Sequence, residues 1–334
     1  MDLHSLVVGR DLMACRFEVV FNAGEVENAT ELAVDALDLV EQIEARITVY
    51  RGTSELARLN ATAADDWQSV SPDLFALLLH ARDVAGRTGG AFDCASGALT
   101  RAWGFLERRG RMPADDALAA ARERSGFGLV EFDEERRRVR FLQPGLELNL
   151  GAIGKGWALD RALGELQLAG VPSVLVHGGQ SSVRARGVQG PALPGRRGWQ
   201  VGLRHPLRPA ERLAAITLDD RALGTSGSGT QFFVDRGRKL GHILDPRTGL
   251  PAEAGVISAT VIAPEAADAD ALSTALYVLG TDGLSSVAAP GGDVGAILVL
   301  AGTRPGIVRV IVANLDAETC VVRESGGVEV ERIA

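Results

Sequence analysis

The chain has 334 residues, 46% hydrophobic and 23% charged, which is enough apolar material for a real core and excludes a wholly disordered chain. Lysine and arginine total 35 against 43 aspartates and glutamates, and the net charge of −8 argues against a nucleic-acid binder, which normally shows a basic excess. The 40 glycines follow no fixed period and point to many tight turns and close backbone approaches, as nucleotide-binding folds need.

In chain order, CRFEVVF at 15–21 alternates weakly and predicts a strand. Residues 27–47 place Ala33, Ala36, Leu37, Val40, Ile43 and Ile47 at helical spacing. YRGTSELARLN predicts a turn and a short helix, 72–87 a second helix, and 114–124 a third. GGAFDCASGALTRAWGF, between the last two, opens on a glycine break and carries few charges. Residues 127–150 predict two strands about a turn, ending in LELNL. A glycine turn then leads into a helix with Leu159, Ala162, Leu163 and Leu166 on one face. Gly170 and Pro172 close that helix, and SVLVH is the next strand. In such a strand–turn–helix–strand unit the turn is where function sits.

Residues 186–198 predict an exposed loop rich in Gly, Pro and Arg. WQVGL, LAAITL and SATVIAP predict strands, while ALGTSGSGTQFF and KLGHILDPRTGLP predict turns with strand flanks. ADADALSTALYVLG predicts a helix ending at Gly280, and AILVLAG, IVRVIVA and TCVVRE predict closing strands. Strands and helices alternate only in part, so the expected fold class is α+β (mixed α/β), with mixed sheets flanked by helices. The expected organisation is one domain over 1–334, with a subdomain at about 62–145 packed on 1–61 and 146–334.

The three cysteines, Cys15, Cys94 and Cys320, are odd in number and contain no C-x-x-C pair, so they predict free thiols rather than a disulfide framework or a zinc site. Leu12-Met13-Ala14-Cys15 superficially resembles a lipoprotein cleavage box. Asp2, Arg10 and Asp11 interrupt the apolar stretch a signal peptide requires, so the chain reads as mature and cytoplasmic. No apolar run approaches the ~18 residues of a membrane span, so no membrane insertion is expected.

Three constellations carry chemistry. Gly151-Ala152-Ile153-Gly154-Lys155-Gly156 opens a helix, where free N–H groups and a lysine attract phosphate, although the spacing is neither that of a P-loop nor G-x-G-x-x-G. An ordinary strand-to-helix turn with a solvated lysine is the alternative. Asp270 and Thr274 stand four apart on one helix. Their mean direction is ~170° from the stripe of Leu272, Ala275, Leu276 and Leu279, so they are expected to face away from the core. A carboxylate and a hydroxyl suit a hard cation such as Mg2+, and a solvated polar face is the alternative. In His242-Ile243-Leu244-Asp245-Pro246-Arg247-Thr248-Gly249 a histidine precedes a Pro turn and could act as general base, or the segment is a structural turn. His4 reads as a terminal residue and His80 as a helix-surface residue, while His177, beside two glycines, could line a pocket. No HExxH, GxSxG or Cys/His ligand spacing occurs.

Taken in order, Met13-Ala14-Cys15, YRGTSELARLN, GGAFDCASGALTRAWGF, LGAIGKGWALD, VHGGQSS, GTSGSG, GHILDPRTGLP and TVIAP…ADALSTALYVLG resemble the ApbE-type family of FAD:protein FMN transferases. The resemblance implies an ApbE-like fold with a flavin cleft between subdomains. It implies binding of FAD and Mg2+, then attachment of FMN by a phosphoester bond to a Thr or Ser of an acceptor flavoprotein, with release of AMP. The family's flavin contacts fall on Met13, Tyr50, Ala91, Phe92, Asp93, Asn149, Lys155 and His242. Its metal ligands fall on the Ala152 carbonyl, Asp270 and Thr274, and its candidate base on His242; Asp270 and His242 are thus the catalytic pair. Asn149 stands where the family often has Asp, Met-Ala-Cys where it has Met-Gly-Thr, and Cys94 where a proline often follows Phe-Asp. An Mg2+-dependent FAD pyrophosphatase and a non-catalytic flavin-binding protein are the competing readings.

Overall fold

A computed structural model describes residues 4–191, 195, 197–227, 232–323 and 327–333. The chain opens with a hairpin, β1 (Ser5–Leu12) and β2 (Cys15–Asn22), followed by α1 (Ala29–Ile47) and α2 (Glu55–Thr62). The short β3 (Gln68–Ser69) precedes α3 (Pro72–Arg87), α4 (Gly97–Ala102) and α5 (Asp115–Glu123). Next come β4 (Val130–Asp133), β5 (Arg138–Phe141), α6 (Gly154–Leu168), β6 (Val174–Gly178) and β7 (Ser182–Arg186). β8 (Trp199–Arg204), β9 (Arg212–Leu218) and β10 (Ala222–Gly227) lead to three short pieces, β11 (Phe232–Asp235), β12 (Arg238–Gly241) and β13 (Leu244–Asp245). β14 (Leu250–Pro251), β15 (Val256–Ala263), α7 (Ala266–Leu279), β16 (Gly295–Ala301), β17 (Val308–Ala313), β18 (Cys320–Val322) and β19 (Val328–Ile333) complete the described fold.

A nine-stranded sheet in the order β1-β2-β6-β7-β10-β15-β16-β17-β19 forms the frame. Its neighbours are antiparallel except β17 and β19, so the sheet is mixed, as expected. Both of its faces are covered, and β16 shows how. Ala296 and Leu298 point into the larger core with α1, α6 and α7, whereas Ile297 and Val299 point into a second core under the three-stranded sheet β18-β9-β8. A strand buried on both faces needs no polar alternation, hence the unbroken AILVLAG run. The larger core also takes Leu74, Leu77, Leu78 and Ala81 of α3 and Val139 and Phe141 of β5, so residues inside and outside 62–145 share one apolar interior.

The predicted helices at 27–47, 72–87 and 114–124 fall on α1, α3 and α5. Gly170, at φ +82°, follows the last turn of α6 as the C′ glycine. LELNL is not a strand. Its backbone groups are satisfied by side chains and loops instead of a ladder: Asn60 Nδ2 donates to the Leu148 carbonyl and Asn60 Oδ1 accepts from Leu148 N–H, both at 2.9 Å. Asn149 N–H donates to the Cys94 carbonyl at 2.8 Å. No helix among the described residues is long and apolar enough to cross a membrane, and all three cysteines are free.

Candidate functional site

α6 and α7 meet so closely that a Cβ on Gly156 would fall on the Ala266 carbonyl. The same holds between Gly224 of β10 and Ala269 of α7. These two glycines let α7 sit buried between the sheet and α6. The expected outward polar face of α7 is therefore corrected: the helix is buried nearly all round, and Asp270 is 6% exposed. A stripe rule assumes one covered side, and α7 is covered by β10, β15, α6 and α3 together.

The buried Asp270 carboxylate is not orphaned. Its Oδ2 accepts the Gly156 N–H at 2.8 Å, within the first turn of α6. Burial pushes its pKa up, while the Lys155 charge, the Ser182 hydroxyl and the Gly156 N–H oppose that rise. Lys155 Nζ donates to Ser181 Oγ at 2.7 Å and Ser182 Oγ at 2.9 Å, just past the glycine pair that ends β6. Thr274 Oγ1 lies 3.0 Å from Ser226 Oγ and donates to the Asp270 carbonyl at 3.2 Å. Lys155, Asp270 and Thr274, predicted from separate motifs, thus share one network of oxygens and one ammonium. Ser181, Ser182 and Ser226 belong to it; they lie in the VHGGQSS and GTSGSG segments, but the sequence by itself assigns them no role.

A second carboxylate locks the two helices. Asp160, one turn after Gly156, accepts the N–H groups of Ala266 and Ala267 at 2.9 Å each, and Arg184 Nε lies 3.2 Å from it. Its burial raises its pKa to about 6, against those two N–H bonds and Arg184. Sequence patterning passed over Asp160 because nothing along the chain marks a helix residue that caps another helix.

Met13 and Ala14 form the two-residue turn between β1 and β2, at φ +48° and +59°. Met13 N–H donates to Glu44 Oε2 of α1 at 2.9 Å. The adjacent Cys15 packs against Gly179, next to Ser181, so the turn borders the same cluster, and burial pushes its thiol pKa up. Ala152 is half-buried in the turn before α6, and Asn149 Oδ1 holds the Gly151 N–H at 3.0 Å.

The other resemblance-derived positions sit on separate elements. Ala91 and Phe92 are buried in the larger core. Asp93 accepts the N–H groups of Ala95 at 2.7 Å and Phe127 at 3.0 Å, and burial raises its pKa against those bonds. Tyr50 is exposed just beyond α1. His242, half-buried between β12 and β13, stands edge-on to Phe105 with ring centroids 6.4 Å apart. Its turn is tied down by Trp103 Nε1, which donates to the Gly249 carbonyl at 2.8 Å, and Gly90 packs against Arg247. Ser228 and Gly229 of the GTSGSG motif lie outside the described residues.

Two further histidines are settled by their partners. His80 is not a simple surface residue: its Nε2 lies 3.3 Å from Asp268 Oδ1 in a largely buried contact off the hydrogen-bond line. His177 Nε2 pairs with Glu18 at 3.0 Å.

The model of the ApbE family matches residues 13–298. A Treponema pallidum protein named FAD:protein FMN transferase is 35% identical over 287 residues, covering 82% of this chain and 77% of that one. An Escherichia coli K12 protein of the same name is 29% identical over 252 residues, 74% of this chain and 69% of its own. The ApbE protein of Thermotoga maritima superposes with a TM-score of 0.80 at 29% identity, over 89% of this chain and 94% of that one. The Pseudomonas stutzeri flavinyl transferase ApbE, in its apo form, gives 0.78 at 27%, over 90% and 94%. With the glycine-gripped helix pair, the lysine turn and the histidine hairpin all in one fold that these structures share, the chain belongs to the ApbE family.

Proposed function

We propose that this chain transfers FMN from FAD to a Thr or Ser hydroxyl of an acceptor protein, releasing AMP. The observation that carries the reading is the buried Asp270 carboxylate, held by the Gly156 N–H and beside Lys155, with the Thr274 hydroxyl one turn along α7 bonded to the Asp270 backbone carbonyl. A desolvated carboxylate among hydroxyls is a hard-oxygen donor set, which fits Mg2+ better than a thiophilic metal. The Ala152 carbonyl, Asp270 and Thr274 are the residues that would hold it. Bound there, Mg2+ would supply Lewis-acid stabilisation of phosphoryl charge.

The chain's own groups do the rest. The acceptor oxygen forms a bond to the FMN phosphorus while the bond to the AMP oxygen breaks, and AMP leaves with that electron pair. Lys155 stabilises the charge that builds on the phosphoryl oxygens. A neutral His242 imidazole accepts the acceptor's hydroxyl proton. Glu44, through the Met13 N–H, fixes the hairpin turn beside Lys155. Incubation with FAD, Mg2+ and a flavodomain bearing a Thr acceptor tests the reading. Covalent yellow protein plus AMP is the expected result. AMP with only free FMN would assign the site to a pyrophosphatase, and no turnover would leave a flavin-binding protein.

A further inference from the structure

Next to His242, the 103–111 loop and the β11–β12 hairpin form a surface that this chemistry does not use. Trp103, Phe105 and Leu240 make a small core beneath it, with Phe233 packed against them. The loop folds back on that core: Arg109 N–H donates to the Gly104 carbonyl at 3.0 Å, and Arg111 N–H to the Trp103 carbonyl at 2.9 Å. Gly110 lies so near Phe233 that a Cβ there would strike the ring. Met112 just past the loop, Phe232 and Val234 of β11 and Leu250 of β14 are exposed large apolar side chains. Phe232 and Val234 share one face of β11, at the two-residue period of an extended chain.

The same surface is basic. The loop carries Arg108, Arg109 and Arg111 against Glu107, with Arg101 just before it in α4, and the hairpin carries Arg236, Arg238 and Lys239 against Asp235, on a chain of net charge −8. Arg101 pairs with Glu147, Arg238 with Glu253, and Lys239 lies over the Phe232 ring at 4.0 Å. Arg108, Arg109, Arg111 and Arg236 are exposed and make no ion pair among the described residues. Unpaired guanidinium groups beside exposed aromatic and aliphatic side chains have the make-up of a protein-recognition surface. A positive field confined to one patch of an acidic molecule selects a negative partner.

We propose that this surface docks the acceptor protein through an extended segment with acidic side chains around an apolar one, which brings its hydroxyl to His242. The proposal rests on the transferase reading. Its position follows from Phe105, whose ring meets both Phe233 of β11, with centroids 5.9 Å apart, and His242, at 6.4 Å. The apolar residue covers Phe232 and Val234, and the acidic residues meet Arg108, Arg109, Arg111 and Arg236.

The test uses the full chain and two synthetic peptides. Each has one threonine and the same apolar residues, flanked by Asp and Glu in one and by Ser and Gln in the other. Binding is read by fluorescence anisotropy without turnover, and transfer by the flavin mass added to the peptide. The acidic peptide is expected to bind about tenfold tighter at low salt, a margin that collapses near ~0.5 M salt, where charges are screened within a few ångströms. The triple variants Arg108→Glu/Arg109→Glu/Arg236→Glu and Arg108→Gln/Arg109→Gln/Arg236→Gln should lose the preference, with melting temperature and FAD affinity unchanged. Equal binding of the two peptides, or a preference that survives in both variants, overturns the proposal. So does a patch that captures phosphatidylserine vesicles and ignores both peptides. An acidic preference with no flavin on either peptide supports the docking surface and overturns the transfer chemistry instead.

Discussion

The Gly156 N–H and the Asp270 carboxylate meet at 2.8 Å, where α6 and α7 approach to backbone contact. The glycine has two roles there: it donates the hydrogen bond, and it leaves room for the Ala266 carbonyl. Gly156→Ala keeps the donor and removes the room. The obstacle is backbone, which has no rotamer to yield, so the helices must separate. We expect a stability loss of about 1–3 kcal/mol, in the range of core overpacking. FMN transfer should fall further than stability does. Denaturant midpoints and single-turnover transfer check this, and a variant matching the parent in both would show that the close approach is not needed.

Asp270→Ala should abolish transfer while weakening FAD binding less. Its carboxylate is the proposed site's buried hard-oxygen donor, whereas the resemblance spreads the flavin contacts over Met13, Tyr50, Ala91, Phe92, Asp93, Asn149, Lys155 and His242. We expect transfer to drop by at least ~10²-fold, consistent with removing charge stabilisation in phosphoryl transfer. Transfer assays at rising Mg2+, with FAD affinity from flavin fluorescence, separate the two effects. Parental rates in the variant would remove Asp270 from the chemistry.

His242→Ala should bind FAD but lose transfer by about 10²–10⁴-fold, the usual contribution of a positioned proton acceptor. Melting temperature and FAD affinity check that the hairpin, where His242 stands edge-on to Phe105, keeps its shape in the variant. The measurement is the transfer rate across pH: the parental profile should show one ionisation that the variant lacks. An unchanged rate would assign the proton to another acceptor.

Much of this was legible in the sequence, and the failures are informative. Helices with a single apolar face were read correctly because one face is what periodicity detects, as in α1 with Ala33, Ala36, Leu37, Val40 and Ile43 all buried. α7 defeated the same rule because it is surrounded, and a buried Asp looks like a solvated one until its donor, Gly156, is placed 114 positions away. LELNL has strand composition, yet Asn60 supplies the bonds a neighbouring strand would have given. β1 was not predicted; its SLVVGRDL is mostly exposed and has no clean alternation. Lys155, Asp270 and Thr274 could be named from local motifs, whereas Ser182, Ser226 and Asp160 act only through residues distant in sequence.

The His80–Asp268 pair should make stability depend on pH. The Asp268 carboxylate raises the His80 pKa, against burial, while Asp268 itself, despite its burial, is held below its usual range by His80 and Arg87. A raised histidine pKa means that the folded state binds the proton more tightly than the unfolded chain. The stabilisation is then full below the unfolded value near ~6.5 and is lost as pH rises through the higher folded value. Its size should be roughly 1 kcal/mol or less, as for partly exposed pairs. Melting temperatures from pH 6 to pH 9 should fall more steeply for the parent than for His80→Gln. Parallel curves would show that the pair does not contribute.

The turn joining β1 to β2 carries a correctable strain. Leu12 pairs with Cys15, so Met13 and Ala14 form a two-residue hairpin loop, and both have positive φ, at +48° and +59°. That geometry matches the twist of the strands and favours Asn or Gly, because a Cβ crowds the neighbouring carbonyl. Ala14 stands where the family usually has glycine. Ala14→Gly relieves the left-handed strain, partly offset by the greater freedom of glycine in the unfolded chain. We expect a net gain of about 0.5–1 kcal/mol, read as a higher denaturant midpoint at constant m-value. Because the Met13 N–H to Glu44 bond anchors the turn beside Lys155, the same substitution should leave FAD affinity intact. A lower midpoint would mean that the Ala14 methyl makes a stabilising contact that outweighs its backbone strain.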